Sequence, residues 1–197
     1  MIKHTGAASP ESKMRLFIAV FLSKEVKMEL QRLQEQLRLQ AYKGSFTRPE
    51  NVHLTLVFLG ETPEEKLASL YQIIQGIKTP AFEIAFNRTG CFTHSHKELW
   101  WIGADPNDPK LPLLGLIHTQ LISRLEQEGF PVDKRPFNAH ITLGREIRHS
   151  EPITLNCQEI RVKVDRVSLV KSERIGGVLT YTELFGQNAL ETSVIAC

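Results

Sequence analysis

The chain has 197 residues, 42% of them hydrophobic, and 24 Lys and Arg against 22 Asp and Glu leave a formal charge of +2. That length supports one substantial core or two small lobes sharing one. The near balance of charge argues against a broad polyanion clamp but permits local recognition of one or two phosphates, and no apolar run approaches the roughly 20 residues that cross a bilayer.

The N-terminus lacks the apolar stretch of a secretory signal, and the three cysteines, Cys91, Cys157 and Cys197, have no metal-type spacing. A cytoplasmic protein with reduced thiols is expected. Residues 1–13 have no apolar period and read as a disordered leader, so folding starts near Met14. A nearly continuous apolar strand from Arg15 to Leu22 leads to Ser23, a plausible N-cap for a helix with Val26, Leu30, Leu33 and Leu37 on one stripe. A second strand runs from Val52 to Leu59. Thr62-Pro63-Glu64-Glu65 then reads as a capping box opening a helix with Leu67, Leu70, Ile74 and Ile77 inward. Phe82, Ile84 and Phe86 alternate as a strand.

The second half repeats this grammar, with a strand from Leu99 to Ile102, a helix carrying Leu113, Leu114, Ile117, Leu121 and Leu125, and another strand after it. Residues 159–170 read as one strand with a phase slip at a bulge, and a last strand spans 179–185. The expected fold is α+β and bilobal with a pseudo-two-fold: two mainly antiparallel sheets, helices outside and a central cleft. The lobes occupy residues 14–185, and residues 186–197 form a tail.

One pattern stands out. His53-Leu54-Thr55-Leu56 and His140-Ile141-Thr142-Leu143 both read His-apolar-Thr-apolar. Composition alone expects about 0.08 such copies, so a pair is poorly explained by chance. In a strand the imidazole and hydroxyl share one face while both aliphatic neighbours anchor the other. Two such strands facing each other supply two histidines and two hydroxyls. Metal-free cleavage of a phosphodiester needs a base for the attacking oxygen and an acid for the leaving one, and histidine is the side chain able to fill both roles near neutrality. Threonine hydroxyls can hold the non-bridging oxygens.

The chain carries Met14-Arg15-Leu16-Phe17-Ile18-Ala19, Arg48-Pro49-Glu50-Asn51-Val52-His53 with the residues to Glu61, Arg135-Pro136-Phe137-Asn138-Ala139-His140 with the residues to Arg145, and Val167-Ser168-Leu169-Val170-Lys171-Ser172 followed by Tyr181. Over about residues 14–185 it resembles the two-histidine phosphoesterase superfamily, in particular its RNA 2′,3′-cyclic phosphodiesterase, or 2′-5′ RNA ligase-like, branch. The resemblance implies a bilobal α+β fold, His53 as proton donor, His140 as proton acceptor and Thr55 and Thr142 in the active site. The substrate would be RNA or oligonucleotide ends bearing a 2′,3′-cyclic phosphate. Two positions depart from the family pattern: Ala139 stands where Pro is common, and Phe46 where Trp is common, keeping an aromatic face for a base.

Arg145 is the leading additional phosphate ligand, followed by Arg135, Lys171 and Arg174, although lone basic residues are usually solvated. His94 and His96 have a strand-type metal spacing but no third ligand nearby. His118 and His149 read as surface residues, and Cys91 as ordinary packing. Of the adjoining Trp100 and Trp101, one faces the core and the other the opposite side, where a base could stack. No cofactor or metal is expected, and the chain should be a monomer. The alternatives are a phosphodiesterase acting on 2′-5′ oligonucleotides or other cyclic nucleotides, and a module that binds nucleotides or RNA ends without turnover.

Overall fold

The structure is a computed structural model describing residues 12–95 and 97–190. Its strands are β1 (Lys13–Phe21), β2 (Lys43–Phe46), β3 (His53–Pro63), β4 (Phe82–His94), β5 (Lys97–Ala104), β6 (His140–Arg148), β7 (Ile160–Val164), β8 (Arg166–Ile175) and β9 (Val178–Asn188). Its helices are α1 (Lys24–Gln40), α2 (Leu67–Gln75) and α3 (Leu111–Gln127). None of them is long and apolar enough to cross a membrane.

The strands form one sheet in the order β7-β4-β5-β6-β3-β1-β8-β9, with β2 also pairing with β6. All pairings between these strands are antiparallel. The sheet has two halves, β3-β1-β8-β9 and β6-β5-β4-β7, which meet at the single pair Leu54↔Ile141. Beyond it, β2 takes over the edge of β6 from Gly144 to Arg148. The two lobes are therefore halves of one sheet, parted at a seam. The expected duplication is visible in the topology: β1, α1 and β3 in one half correspond to β5, α3 and β6 in the other.

Alternation explains the layering. Leu16, Ile18 and Val20 on β1 join a core that continues through Leu54, Ile102 and Ile141 and takes in the apolar stripes of all three helices. Phe17, Ala19 and Val170 form a small separate cluster on the other face, with Phe21 and Tyr181 against it. The helices thus cover one face of the sheet and leave the other open. Ser23 caps α1 as expected, its hydroxyl accepting from Val26 N at 3.3 Å. The helix then crosses the seam and packs on β6 and β7, in the half opposite to its own strands. There the buried Gln34 amide donates to the carbonyls of Leu143 and Thr47, each at 2.7 Å.

Several local expectations fail. Thr62 does not cap a helix; it is buried in β3 with its hydroxyl donating to the Gly60 carbonyl at 3.3 Å. A 3₁₀ turn over Glu64–Lys66 intervenes before α2. Residues 159–170 are not one bulged strand. The phase slip is a break at Asp165, where the chain leaves β7, paired with β4, and enters β8, paired with β1 in the other half. β1 begins at Lys13 and β9 runs to Asn188, so both ends of the ordered sheet exceed the expected bounds slightly. Residues 1–11, 191–197 and His96 lie outside the described residues.

Candidate active site

The seam brings the two motifs together. Leu54 and Ile141 pair across it, and both are fully buried. The side chains on either side of each in sequence, His53 and Thr55 and likewise His140 and Thr142, therefore project to the open face. Continuing the antiparallel register by one residue in each direction sets His53 toward Thr142 and His140 toward Thr55. All four are partly buried.

Each imidazole is held in the same way. His53 Nδ1 lies 2.7 Å from the carbonyl of Asn51, and His140 Nδ1 lies 2.7 Å from the carbonyl of Asn138. A carbonyl only accepts, so both rings carry hydrogen on Nδ1 and keep Nε2 for chemistry. His53 Nε2 is 2.8 Å from the Thr55 hydroxyl. The sequence shows the origin of this symmetry once the longer repeat is noticed: Arg-Pro-x-Asn-x-His-apolar-Thr-apolar occurs at residues 48–56 and 135–143. The Asn two positions before each His was missed as a functional signal, although it lies within the repeated text.

Aromatic rings wall each histidine. Phe17 and Tyr181 stand 4.8 and 5.2 Å from His53, while Phe92 and Trp101 stand 5.3 and 6.4 Å from His140. Trp101 lies on a glycine floor: a Cβ at Gly90 or Gly103 would come within 2.7 or 2.8 Å of its indole. Trp101 is the tryptophan on the open face. Trp100 is buried in the core and donates its indole N–H to Glu98 at 2.7 Å.

Burial is the main reason that His53 is pushed down to about 4, with the positive charges of Arg145, His140 and Lys27 adding to the effect and the Asn51 carbonyl opposing it. His140 is lowered for the same leading reason, with Arg145 again contributing. Both imidazoles are therefore neutral at pH 7 in the free protein. Arg145 is exposed and bears on both of them. Lys27, partly buried on α1, is a second cation near His53. Its helix is legible in the sequence, but the return of that helix across the seam is not.

The other basic candidates are turned to local partners. Arg135 is exposed and paired with Asp133, its Nε 2.8 Å from the carboxylate. Lys171 shares the face of Leu169 and Val167, away from the open face, and pairs with Glu173 at 2.7 Å. Arg174 donates to the Gly177 carbonyl at 2.8 Å in the β8–β9 hairpin. The face of Phe46 is not free for a base, because the Arg38 guanidinium lies 4.1 Å over it. His118 and His149 are not free surface residues. His118 stacks on Phe137 at 4.3 Å, and His149 contacts the Glu98 carboxylate at 3.0 Å. His94 is exposed at the end of β4, and its partner in the metal-spacing reading, His96, lies outside the described residues.

The model of a family described as LigT-like phosphoesterase matches residues 20–101 and 108–180. An RNA 2′,3′-cyclic phosphodiesterase of Archaeoglobus fulgidus is 31% identical over 142 residues, 71% of this chain and 77% of the relative. One from Escherichia coli K12 is 32% identical over 146 residues, 72% of this chain and 76% of the relative. Among solved structures, Escherichia coli LigT complexed with 3′-AMP superposes with a TM-score of 0.77 at 26% identity, covering 90% of this chain and 99% of that one. These similarities span both sheet halves and both motif-bearing strands, and the chain belongs to the LigT-like phosphoesterase family within the two-histidine phosphoesterase superfamily.

Proposed function

We propose that the protein hydrolyses RNA 2′,3′-cyclic phosphate ends to 2′-phosphomonoesters without a metal, using His53 as acid and His140 as base, the roles that the family resemblance implies. The observation that carries this reading is the matched anchoring of the two imidazoles: each Nδ1 is held by a carbonyl at 2.7 Å, leaving both Nε2 atoms on the open face at one seam. The activity named for the relatives at 31% and 32% identity supports the substrate class.

In the proposed reaction His140 Nε2 takes a proton from water as the water oxygen bonds to phosphorus. The bond from phosphorus to O3′ breaks, and His53 Nε2 gives its proton to O3′. Thr55, Thr142 and Arg145 hold the non-bridging oxygens, the guanidinium matching phosphate geometry. Solvent exchange returns His53 to its charged form and His140 to neutral. The free site has two neutral imidazoles beside two cations, so it favours an anion, and binding the phosphodiester supplies the negative charge that stabilises the one proton the reaction needs. The site is loaded with its acid by its own substrate.

The test is turnover of an oligonucleotide with a 2′,3′-cyclic end in the presence of EDTA. Multiple turnovers to a phosphomonoester are expected. Tight binding without product would mark a non-catalytic recognition module, and loss of activity restored by a divalent metal would contradict the metal-free reaction.

A further inference from the structure

The two halves hold their histidines alike but do not support the holding carbonyls alike. Asn51 is 5% exposed and closes a 3₁₀ turn, its N–H donating to the Arg48 carbonyl at 2.8 Å. Its side-chain amide donates to the backbone carbonyl of Leu179 at 2.9 Å, in the hairpin that joins β8 and β9. Its own carbonyl accepts from His53 Nδ1. One residue thus links hairpin and imidazole through two hydrogen bonds. Tyr181, two residues along the same strand, sets its ring edge against His53. Asn138 also offers its carbonyl to its histidine, but its side chain has no hydrogen-bond partner among the described residues.

The hairpin is an exposed element in its own right. Its tip turns through Gly176 and Gly177 with φ of +57° and +83°, and Ile175, Val178 and Leu179 around it are exposed apolar residues. We propose that Asn51 is a positioning residue that couples the β8–β9 hairpin to the ring orientation and tautomer of His53. When the tip is ordered, the Leu179 carbonyl fixes the Asn51 amide, the 51–52 peptide is held, and its oxygen keeps hydrogen on Nδ1 so that Nε2 faces the open side. When the tip loosens, the peptide keeps only the longer bond from Val52 N–H to the Pro49 carbonyl at 3.4 Å, its oxygen is less firmly set against Nδ1, and His53 becomes a mixture of tautomers. Substrate contacts at the tip would therefore be felt at one histidine and not at the other.

This inference rests on the proposed role of His53, but its test reads the imidazole directly. Protein with ¹⁵N-labelled histidine is examined by NMR above pH 7, and turnover is measured in parallel on 2′,3′-cyclic AMP. Asn51→Ala should convert the His53 signature from Nδ1–H to a tautomer mixture and lower kcat by about tenfold with KM nearly unchanged, a modest misplacement cost. Asn138→Ala should leave both histidine signatures as they are. Gly177→Val loads strain at a positive φ where an added Cβ meets nothing within 4 Å, so it perturbs the tip alone. It should shift His53 in the same direction, and it preserves the test should Asn51→Ala not fold. An unchanged His53 signature in either folded variant, with the tip shown by amide exchange to be loosened in Gly177→Val, overturns the coupling. Coupling in the labelled protein with no wild-type turnover of either 2′,3′-cyclic AMP or a 2′,3′-cyclic-ended oligonucleotide overturns the function and leaves the coupling standing.

Discussion

A histidine driven down to about 4 gains its neutrality from burial and from neighbouring cations, and that choice reaches beyond catalysis to stability. The unfolded chain binds a proton at His53 near pH 6.5 and the folded protein does so only near 4, so stability is fully present above 6.5 and falls as the pH drops from 6.5 to 4. By pH 5 this one group removes about 2 kcal/mol. His53→Gln should flatten that part of the stability curve in urea titrations between pH 7 and 5; an unchanged slope would mean that the ring is not buried as described. Since both histidines are lowered, kcat/KM should peak on the acid side of 6.5, and kcat should peak at higher pH because the bound anion raises both. A kcat optimum lying below that of kcat/KM would contradict the substrate-loaded acid. His53→Ala and His140→Ala should each lower turnover by about 10²–10⁴, with the double variant losing less than the product of the two. Thr55→Val should cost less, about 1.5–3 kcal/mol for one hydrogen bond to a charged group. The duplicated motif made these four residues legible in the sequence, because a two-residue period alone places His and Thr on one face. The depressed titration was not legible: it comes first from the burial of the rings, which a two-residue period does not measure, and then from Arg145 and Lys27, whose approach to His53 pattern cannot orient.

Among the elements, α1 carries the most consequence. Its apolar stripe and Ser23 cap could be read directly from residues 23–37, since both are local signals. Its destination could not, because the stripe says that a face is buried without saying against which sheet half. Gln34 shows the difference: a polar residue beside Leu33 and Leu37 looks like a flaw in the stripe, yet it satisfies two carbonyls on the far side of the seam. Gln36 and Gln40 extend the clip, exchanging hydrogen bonds with the backbone of Asn156 and Thr154. Gln34→Leu should destabilise the fold by about 1–3 kcal/mol despite the more apolar side chain, because the Thr47 carbonyl is left without its donor; a neutral or stabilising change in denaturant titration would show that the clip is incidental. The failed reading at Thr62 has the same root. Ser/Thr-x-x-Glu is a capping signal only if the chain has left its strand, and tertiary pairing with β1 holds Thr62 in β3.

On the scale of the whole molecule, the duplication brings the two motif strands to one seam and the exchange of helices ties the halves into one body. α1 leaves the first half to pack on β6 and β7, while α3 from the second reaches β3. One core runs under both halves, so unfolding should be a single transition, with tryptophan fluorescence, which reports only Trp100 and Trp101 in the second half, coinciding with far-UV circular dichroism. Separated midpoints would show two independent lobes. In the proposed reaction one imidazole lies on each side of the seam and an in-line displacement uses only one ester bond of the cyclic phosphate, the one to O3′ by the family resemblance. Hydrolysis of a 2′,3′-cyclic-ended oligonucleotide in ¹⁸O-labelled water with EDTA, followed by phosphorus NMR, reads this outcome directly. The account predicts a 2′-phosphomonoester carrying one solvent oxygen on phosphorus; a predominantly 3′-phosphorylated product would contradict the placement of His53 at the leaving O3′.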